Sequence, residues 1–161
     1  MRLLVVNASP LILLGKIGRL EILPQLATEL HVPGSVATEV RAGPESDPAR
    51  KWLAKEGERY VANESINVDL RVLSWGLGAG ESAVISDALS LRSSVALLDD
   101  RAARNCAKVF QIPCIGTAGV LLKAKRLGLV PLVGPELERL TSEGSFLHPK
   151  VRKEVLRLAG E

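Results

Sequence analysis

Short runs of aliphatic residues recur along the chain, and most are followed by a stretch with helical spacing. The runs lie at 3–6 (LLVV), 30–32 (LHV), 95–98 (VALL) and 112–115 (IPCI). Aliphatic runs without polar alternation are typical of strands buried on both faces, as in parallel sheets covered by helices. The alternation of such strands with helices predicts a three-layer α/β/α domain with a mostly parallel central sheet.

The composition supports an aliphatic core, because 47% of the residues are hydrophobic but only 3% are aromatic. A chain of 161 residues is long enough for one domain with a sizeable core, so we expect a single domain over 1–161 with a C-terminal helical tail from about 136. Ser9 is predicted to cap the first helix, with Pro10 as its first residue. Helices are predicted at 11–17, 20–26, 35–41, 48–56, 81–91, 101–110 and 117–126, and a further strand at 59–62.

Charge and cysteine content narrow the class of protein. The formal net charge of +3 permits a polyanionic partner without requiring one. Cys106 and Cys114 have no metal-ligand spacing and are predicted to be reduced thiols in a cytoplasmic protein. No apolar stretch is long enough to span a bilayer, and polar residues interrupt the N-terminal run, so neither a membrane partner nor a signal peptide is expected.

Oxygen-bearing side chains follow two of the predicted strands. Asn7 and Ser9 follow the first, whereas Asp99 and Asp100 follow the run 95–98. If those strands are neighbours where the strand order reverses, all four share one crevice, and Glu39 and Glu81 can reach it from nearby helices. Clustered oxygen ligands are typical of Mg²⁺ sites, which support hydrolysis of phosphodiesters.

Structural roles compete with this interpretation. Either aspartate could cap the next helix, Glu81 could be a first-turn glutamate, and Glu39 could be a surface residue. Two adjacent aspartates favour a site over a cap. Thr117 is predicted to cap its helix, with a role in the crevice as the alternative. Arg101 and Arg104 lie on one helix face beside the acids, where they could bind phosphates or simply face solvent. Paired aspartates also occur in phosphoacceptor sites, but such domains usually place the pair near the first strand. This function is less favoured, because the pair here comes late in the chain.

An ordered set of motifs resembles the PIN-domain family, in an uncharacterised prokaryotic branch related to VapC-type toxin ribonucleases. The motifs are 5–12 (VVNASPLI), 32–39 (VPGSVATE), 77–88 (LGAGESAVISDA), 97–104 (LLDDRAAR) and 116–129 (GTAGVLLKAKRLGL). The resemblance implies an endoribonuclease that uses Mg²⁺ or Mn²⁺ to activate a water molecule. It implies Glu39, Glu81 and Asp100 as catalytic residues, Asn7 and Asp99 as further ligands, and Ser9 as a supporting residue. Asp100 is preferred to Asp99 because it directly precedes Arg101, as the family's last acid commonly precedes a basic residue.

The resemblance also implies an RNA substrate, a small antitoxin partner and a homodimer. Asn7 departs from the family, which usually has Asp at this position. An amide oxygen can still ligate a hard cation, but losing one charge about 4 Å from the ion costs on the order of 4 kcal/mol at a dielectric constant near 20. Two hypotheses follow: a metal-dependent ribonuclease, possibly a toxin, or a catalytically degenerate PIN-like module that binds nucleic acid or protein.

Overall fold

The computed structural model describes residues 1–62 and 67–161. Its four-stranded sheet is entirely parallel, with the strand order β2-β1-β3-β4, and helices flank it in a three-layer α/β/α arrangement. The strands are β1 (Leu3–Val6), β2 (Glu29–His31), β3 (Ser94–Leu97) and β4 (Cys114–Ile115). The strand order reverses at β1, which has β2 on one side and β3 on the other, so the switch point predicted from the sequence is confirmed.

Helices occupy most of the chain between and after the strands. They are α1 (Ala8–Lys16), α2 (Leu23–Leu26), α3 (Gly34–Arg41), α4 (Pro48–Leu53), α5 (Leu70–Leu73), α6 (Ala79–Ser90), α7 (Arg101–Val109), α8 (Thr117–Arg126), α9 (Gly134–Ser142) and α10 (Pro149–Ala159). Short 3₁₀ helices cover Leu20–Ile22 and Glu58–Tyr60. None of the described helices is long and apolar enough to cross a membrane.

The central strands are buried as the aliphatic runs predict. Leu4, Val5 and Val6 of β1 have no exposed surface, and neither do Ala96 and Leu97 of β3. Helices must therefore cover both faces of the sheet, since side chains of a strand alternate between its faces. The buried strands form a rigid support for the residues that follow them at the carboxyl edge of the sheet.

The start of α1 differs from the prediction that Ser9 caps it. The helix begins at Ala8, with Asn7 in the N-cap position and an extended backbone (φ −87°, ψ 164°). Pro10 is the third helical residue, and the first helical backbone bond runs from Leu11 N to Asn7 O. Proline is tolerated there because the first few N–H groups of a helix have no partner within the helix.

Other boundaries also differ. The predicted helix 48–56 ends at Leu53, and the predicted helix 20–26 divides into a 3₁₀ turn followed by α2. The predicted strand 59–62 is wrong, because the Glu58–Tyr60 turn replaces most of it and leaves only an isolated bridge between Val32 and Val61. The Tyr60 ring stacks on Trp52 at a centroid distance of 5.8 Å, which favours a turn over an extended strand.

Candidate active site

The carboxyl ends of β1 and β3 lie side by side. Val6 pairs with Leu97, and the backbone N–H of Asn7 donates to the Leu97 carbonyl at 3.2 Å. Asn7 is thus the first residue beyond β1, and Asp99 lies two residues beyond the end of β3. Because β1 and β3 are parallel neighbours, both residues lie at the carboxyl edge of the sheet, as expected at a switch point of the strand order.

The Asn7 side chain has no structural task that the described residues account for. The residue is only 3% exposed, its side chain makes no cap hydrogen bond, and Oδ1 is buried without a partner in the described part of the chain. A buried acceptor without a partner costs about 1–3 kcal/mol. Such a group in a folded protein calls for an explanation, and an unseen ligand is one.

Gly80 allows two oxygens to approach the start of α6 closely. A Cβ atom at Gly80 would lie 2.8 Å from Glu39 Oε2 and 3.0 Å from Asn7 Oδ1. One oxygen comes from α3 and the other from the residue that follows β1, so both converge on the place that a Cβ atom would occupy. A side chain at position 80 would displace them, and only glycine permits this approach.

Glu81 brings a second carboxylate near Glu39, although its Oε2 lies over Gly78, the N-cap of α6, and not at Gly80. It is the third residue of α6, where a glutamate commonly reaches back to the N-cap backbone N–H. Here, however, the Glu81 side chain makes no hydrogen bond or ion pair within residues 1–62 and 67–161. Glu39 is an exposed residue of α3. Partial desolvation of its carboxyl nevertheless raises its pKa, and the negative charge of Glu81 raises it further. We call Asn7, Glu39, Gly80 and Glu81 the Gly80 side of the site.

Asp99 is held differently. Its Oδ1 accepts the backbone N–H of Thr117 at 2.8 Å, and its Oδ2 accepts the Thr117 hydroxyl at 2.6 Å. The prediction that Thr117 caps its helix is wrong, because Gly116 is the N-cap of α8 and Thr117 is its first residue. Thr117 is 98% buried, and Asp99 supplies the cap to this helix, which starts 18 residues later. The carboxylate also interacts favourably with the positive end of that helix.

Asp100 caps the helix that it precedes. It is the N-cap of α7, and its Oδ1 accepts the Ala103 N–H at 2.8 Å. Each of the two adjacent aspartates therefore caps a helix of its own. Helix capping alone can account for both, which weakens the argument that an aspartate pair indicates a site. Asp100 is exposed, and its Oδ2 makes no hydrogen bond to any described residue.

Arg104 lies beside Asp99 across a second glycine. A Cβ atom at Gly116 would lie 3.1 Å from Asp99 Oδ1 and 3.2 Å from Arg104 Nη1. Both Arg101 and Arg104 are exposed on α7. We call Asp99, Arg104, Gly116 and Thr117 the Gly116 side of the site. Ser9 is exposed in the first turn of α1, and its supporting role stays a prediction.

The sequence reasoning missed a buried pair beside the site. His31 Nε2 lies 2.6 Å from Asp87 Oδ2, and Asp87 is 2% exposed. The signal was available, because Asp87 falls among buried residues of α6 and a buried carboxylate needs a partner. The partner could not be identified without knowing that β2 packs near α6. The other histidine, His148, caps α10 by accepting the Lys150 N–H at 3.2 Å.

The Gly80 side fits a hard divalent cation in its chemistry. No group of three or more His, Cys, Asp or Glu side chains that could hold a metal occurs in the described ranges. The Gly80 side nevertheless offers two carboxylates and one amide oxygen, and the buried Asn7 Oδ1 has no other partner there. Carboxylate and amide oxygens are the ligands that Mg²⁺ and Mn²⁺ prefer.

Fold and site together define an α/β/α domain with oxygen-bearing side chains at the switch point of a parallel sheet. The family model DUF3368, described as a PIN domain, matches residues 3–161. The chain therefore belongs to the PIN domain family. Membership indicates a nuclease-type function that involves nucleic acid, and PIN domains generally use divalent metals. The chain has no significant match among curated proteins.

Proposed function

We propose that the protein is a Mg²⁺- or Mn²⁺-dependent endoribonuclease. The observation that carries this proposal is the pair of oxygens, Asn7 Oδ1 and Glu39 Oε2, that converge on Gly80, with Asn7 Oδ1 buried and without a partner among the described residues. Glu81 adds its charge near Glu39, as its effect on the pKa of that residue indicates. The carboxylates of Glu39 and Glu81 repel each other, and no described side chain supplies a cation to them. A divalent ion would relieve that repulsion.

Asn7, Glu39 and Glu81 would hold the ion. Once bound, the ion would lower the pKa of a water molecule and neutralise charge on the scissile phosphate. The Asn7 amide would ligate the ion through its oxygen without adding charge. The two glutamates would therefore supply most of the electrostatic attraction for the ion. Glu39 must be ionised to bind, and its raised pKa means that protons compete with the ion for this carboxylate.

The Gly116 side would position the substrate. Arg104 and Arg101 are exposed donors that could hold phosphates of the RNA backbone on either side of the scissile bond. Thr117 fixes the Asp99 carboxylate through two hydrogen bonds, so Asp99 can present its remaining lone pairs without rotating. Asp100 has one oxygen engaged in its cap and one available to the site.

The biological setting is proposed by extension from the VapC-type branch. There the protein would be a cytoplasmic toxin, bound as a homodimer by a small antitoxin. The neighbouring gene offers a direct check, since a short reading frame for a DNA-binding protein would support a toxin pair.

The catalytic proposal is tested by RNA cleavage in the presence of Mn²⁺. Glu81→Gln and Asp100→Asn should each lower the cleavage rate, with Glu81→Gln costing about a hundredfold or more. Glu56→Gln is the matched control, because Glu56 is exposed and its carboxylate makes no hydrogen bond to a described residue. Calorimetry with Mn²⁺ gives the second measurement. If Glu81→Gln and Asp100→Asn both cleave RNA as the unmodified protein does, the assignment fails.

A second candidate function is a PIN-like module that binds RNA or protein without cleaving it. Asn7 favours this candidate, because a neutral ligand weakens the attraction for a cation. In that case the protein would bind single-stranded RNA equally well with Mn²⁺ or with a chelator, and no variant on the Gly80 side would change binding.

A further inference from the structure

A cavity of about 340 Å³ opens from the Gly116 side into the C-terminal helices. Asp99, Arg104 and Thr117 line its polar end. Its far end is apolar and is formed by side chains of α8, α9 and α10, among them Leu122, Leu137, Leu140, Val155 and Leu158. The volume falls in the range of pockets that take small organic groups. The cavity therefore joins the candidate active site directly to an apolar pocket.

An aromatic side chain stands at the rim of this cavity. Phe146, in the connection between α9 and α10, is 86% exposed. Val151 and Leu158 line the same cavity and are 47% and 42% exposed. Trp52, Tyr60 and Phe110 pack against the core and Trp75 is 39% exposed, so Phe146 is the most exposed aromatic residue among those that the structure describes. Apolar surface gathered at one place marks a binding site more often than scattered single residues do.

The charges beside the cavity indicate what it binds. A second cavity of about 500 Å³ shares Arg104 and Cys114 with the first and is also lined by Asn105 and Lys108. Arg101, Arg104 and Lys108 follow helical spacing on α7 and are all exposed. A row of cations that leads into an apolar pocket with an aromatic rim complements a phosphate backbone with one base turned aside.

We propose that the cavity takes an unstacked base of single-stranded RNA, with the base against the Phe146 ring and an adjacent phosphate on Arg104. This inference rests on the proposed RNA substrate and assigns a positioning role to Phe146. The base would enter next to Asp99, which would fix the RNA strand relative to the Gly80 side. A protein segment could fill an apolar pocket too, but the cations of α7 favour a polyanion.

The chemistry of the walls predicts weak discrimination between bases. Most of the lining is apolar, and the hydroxyls of Thr141 and Ser145 are the side-chain polar groups at the α9 end. Stacking on an aromatic ring tolerates every base, because all of them present a flat face. Purines should bind somewhat better than pyrimidines, since they offer more stacking area.

Binding can be measured without cleavage, in a chelator, with a short single-stranded RNA that carries a fluorescent base analogue. Phe146→Ala should weaken binding about tenfold, as loss of one base–aromatic stack of about 1–3 kcal/mol implies, and should abolish the change in analogue emission. Phe146→Tyr should restore both. Leu70→Ala is the matched control, because Leu70 is 81% exposed and does not line the cavity.

An RNA with a missing base at the stacked position gives a stricter test. The missing base and Phe146→Ala should each weaken binding, but together they should cost no more than either alone. Equal RNA binding by Phe146→Ala and the unmodified protein would overturn the inference. So would a change in self-association, measured by sedimentation, without a change in RNA binding. Failure of the catalytic proposal is distinguishable, because it would show as cleavage that is absent, or unchanged in Glu81→Gln and Asp100→Asn, while the Phe146 effect on binding stays intact.

Discussion

The two sides of the candidate site use their acidic residues differently. On the Gly116 side, Asp99 accepts two hydrogen bonds from Thr117 and lies near Arg104. On the Gly80 side, neither Glu39 nor Glu81 has an ion pair or hydrogen bond with a described residue, and burial together with the neighbouring charge raises the pKa of Glu39. Asp99 thus stabilises the fold, whereas the two glutamates add charge that the described side chains do not neutralise.

A buried acid elsewhere in the chain shows how this protein neutralises one when only structure is at stake. Glu136 is 5% exposed and pairs with Arg19 at 2.7 Å and Arg139 at 3.4 Å. No arginine or lysine forms an ion pair with Glu39 or Glu81 among the described residues. Because Glu39 is exposed and Glu81 is half-buried, water screens part of their charge, and the repulsion that remains is what an ion from solution would relieve.

The largest expected effect comes from Asn7→Asp, which adds a third charge to the Gly80 side. Mn²⁺ binding should strengthen by up to about 4 kcal/mol, the interaction of one unit charge at about 4 Å with a dielectric constant near 20. In a chelator the same variant should melt at a lower temperature, because the added charge is buried and repelled. Calorimetry and thermal melting measure the two effects.

Asn67→Asp controls for charge alone, since Asn67 is exposed and lines neither of the two cavities beside Arg104. If Asn7→Asp gains neither Mn²⁺ affinity nor cleavage, the second candidate function is favoured over the first.

Asp99→Ala should be the most destabilising change on the Gly116 side. It removes both hydrogen bonds to Thr117 and leaves the buried hydroxyl and the first N–H of α8 without their partner, which should cost about 2–3 kcal/mol of unfolding free energy. Urea denaturation measures this loss. Glu81→Gln should show no comparable loss, and equal destabilisation by both variants would remove the distinction between the two sides.

Gly80→Ala should separate metal binding from stability. A methyl group would enter the space between Glu39 Oε2 and Asn7 Oδ1 and should weaken Mn²⁺ binding about tenfold, or about 1.4 kcal/mol. The unfolding free energy should change little, because the flexible Glu39 side chain can turn away from the methyl group and the better helix propensity of alanine, up to about 1 kcal/mol, offsets the closer contact with Asn7 Oδ1. Calorimetry and urea denaturation of the same sample check both. Unchanged Mn²⁺ affinity would show that this space is not the metal site.

Asp100→Ala should lose about 1 kcal/mol of stability, the usual value of an N-cap. Asp47→Ala is the matched control, because Asp47 caps α4 through the Ala49 N–H at 2.8 Å and lies in none of the catalytic motifs. If Asp100 also serves the active site, only Asp100→Ala will lower the rate of RNA cleavage. Equal cleavage rates in the two variants would mean that Asp100 only caps α7 and takes no part in catalysis.

The strands could be predicted because they depend on local pattern, and the shared edge of Asn7 and Asp99 because it follows from a general rule of parallel sheets. That Glu39, Glu81 and Asp100 form one site stays a prediction. β1 matches the predicted strand, β3 is displaced by one residue, and α8 matches the predicted helix at both ends. The shared edge of Asn7 and Asp99 followed from the predicted switch point. The C-terminal helices also form, on either side of the His148-Pro149 break.

The division of tasks between the acids could not be predicted, because it depends on which helices pack together. Asp99 caps α8 only because β4 pairs with β3 and brings Thr117 beside it. Glu39 reaches Gly80 only because α3 packs on α6. Asp87 pairs with His31 only because the end of β2 lies beside α6. Phe146 gave no sequence signal, since an isolated aromatic residue is more often part of a core than of a surface.

The smallest expected effect is the pH dependence of stability that Glu39 contributes without metal. The folded protein holds the Glu39 proton to a higher pH than the unfolded chain, because burial and Glu81 raise its pKa. Stability should therefore fall as the pH rises from the ordinary range of a glutamate through the raised pKa. Added Mn²⁺ should reverse this trend, since the ion binds only the ionised carboxylate. Urea denaturation across mildly acidic pH should show both slopes in the unmodified protein and in Glu56→Gln, and neither in Glu39→Gln. A slope that survives in Glu39→Gln would mean that another group is responsible and that Glu39 has an ordinary surface environment.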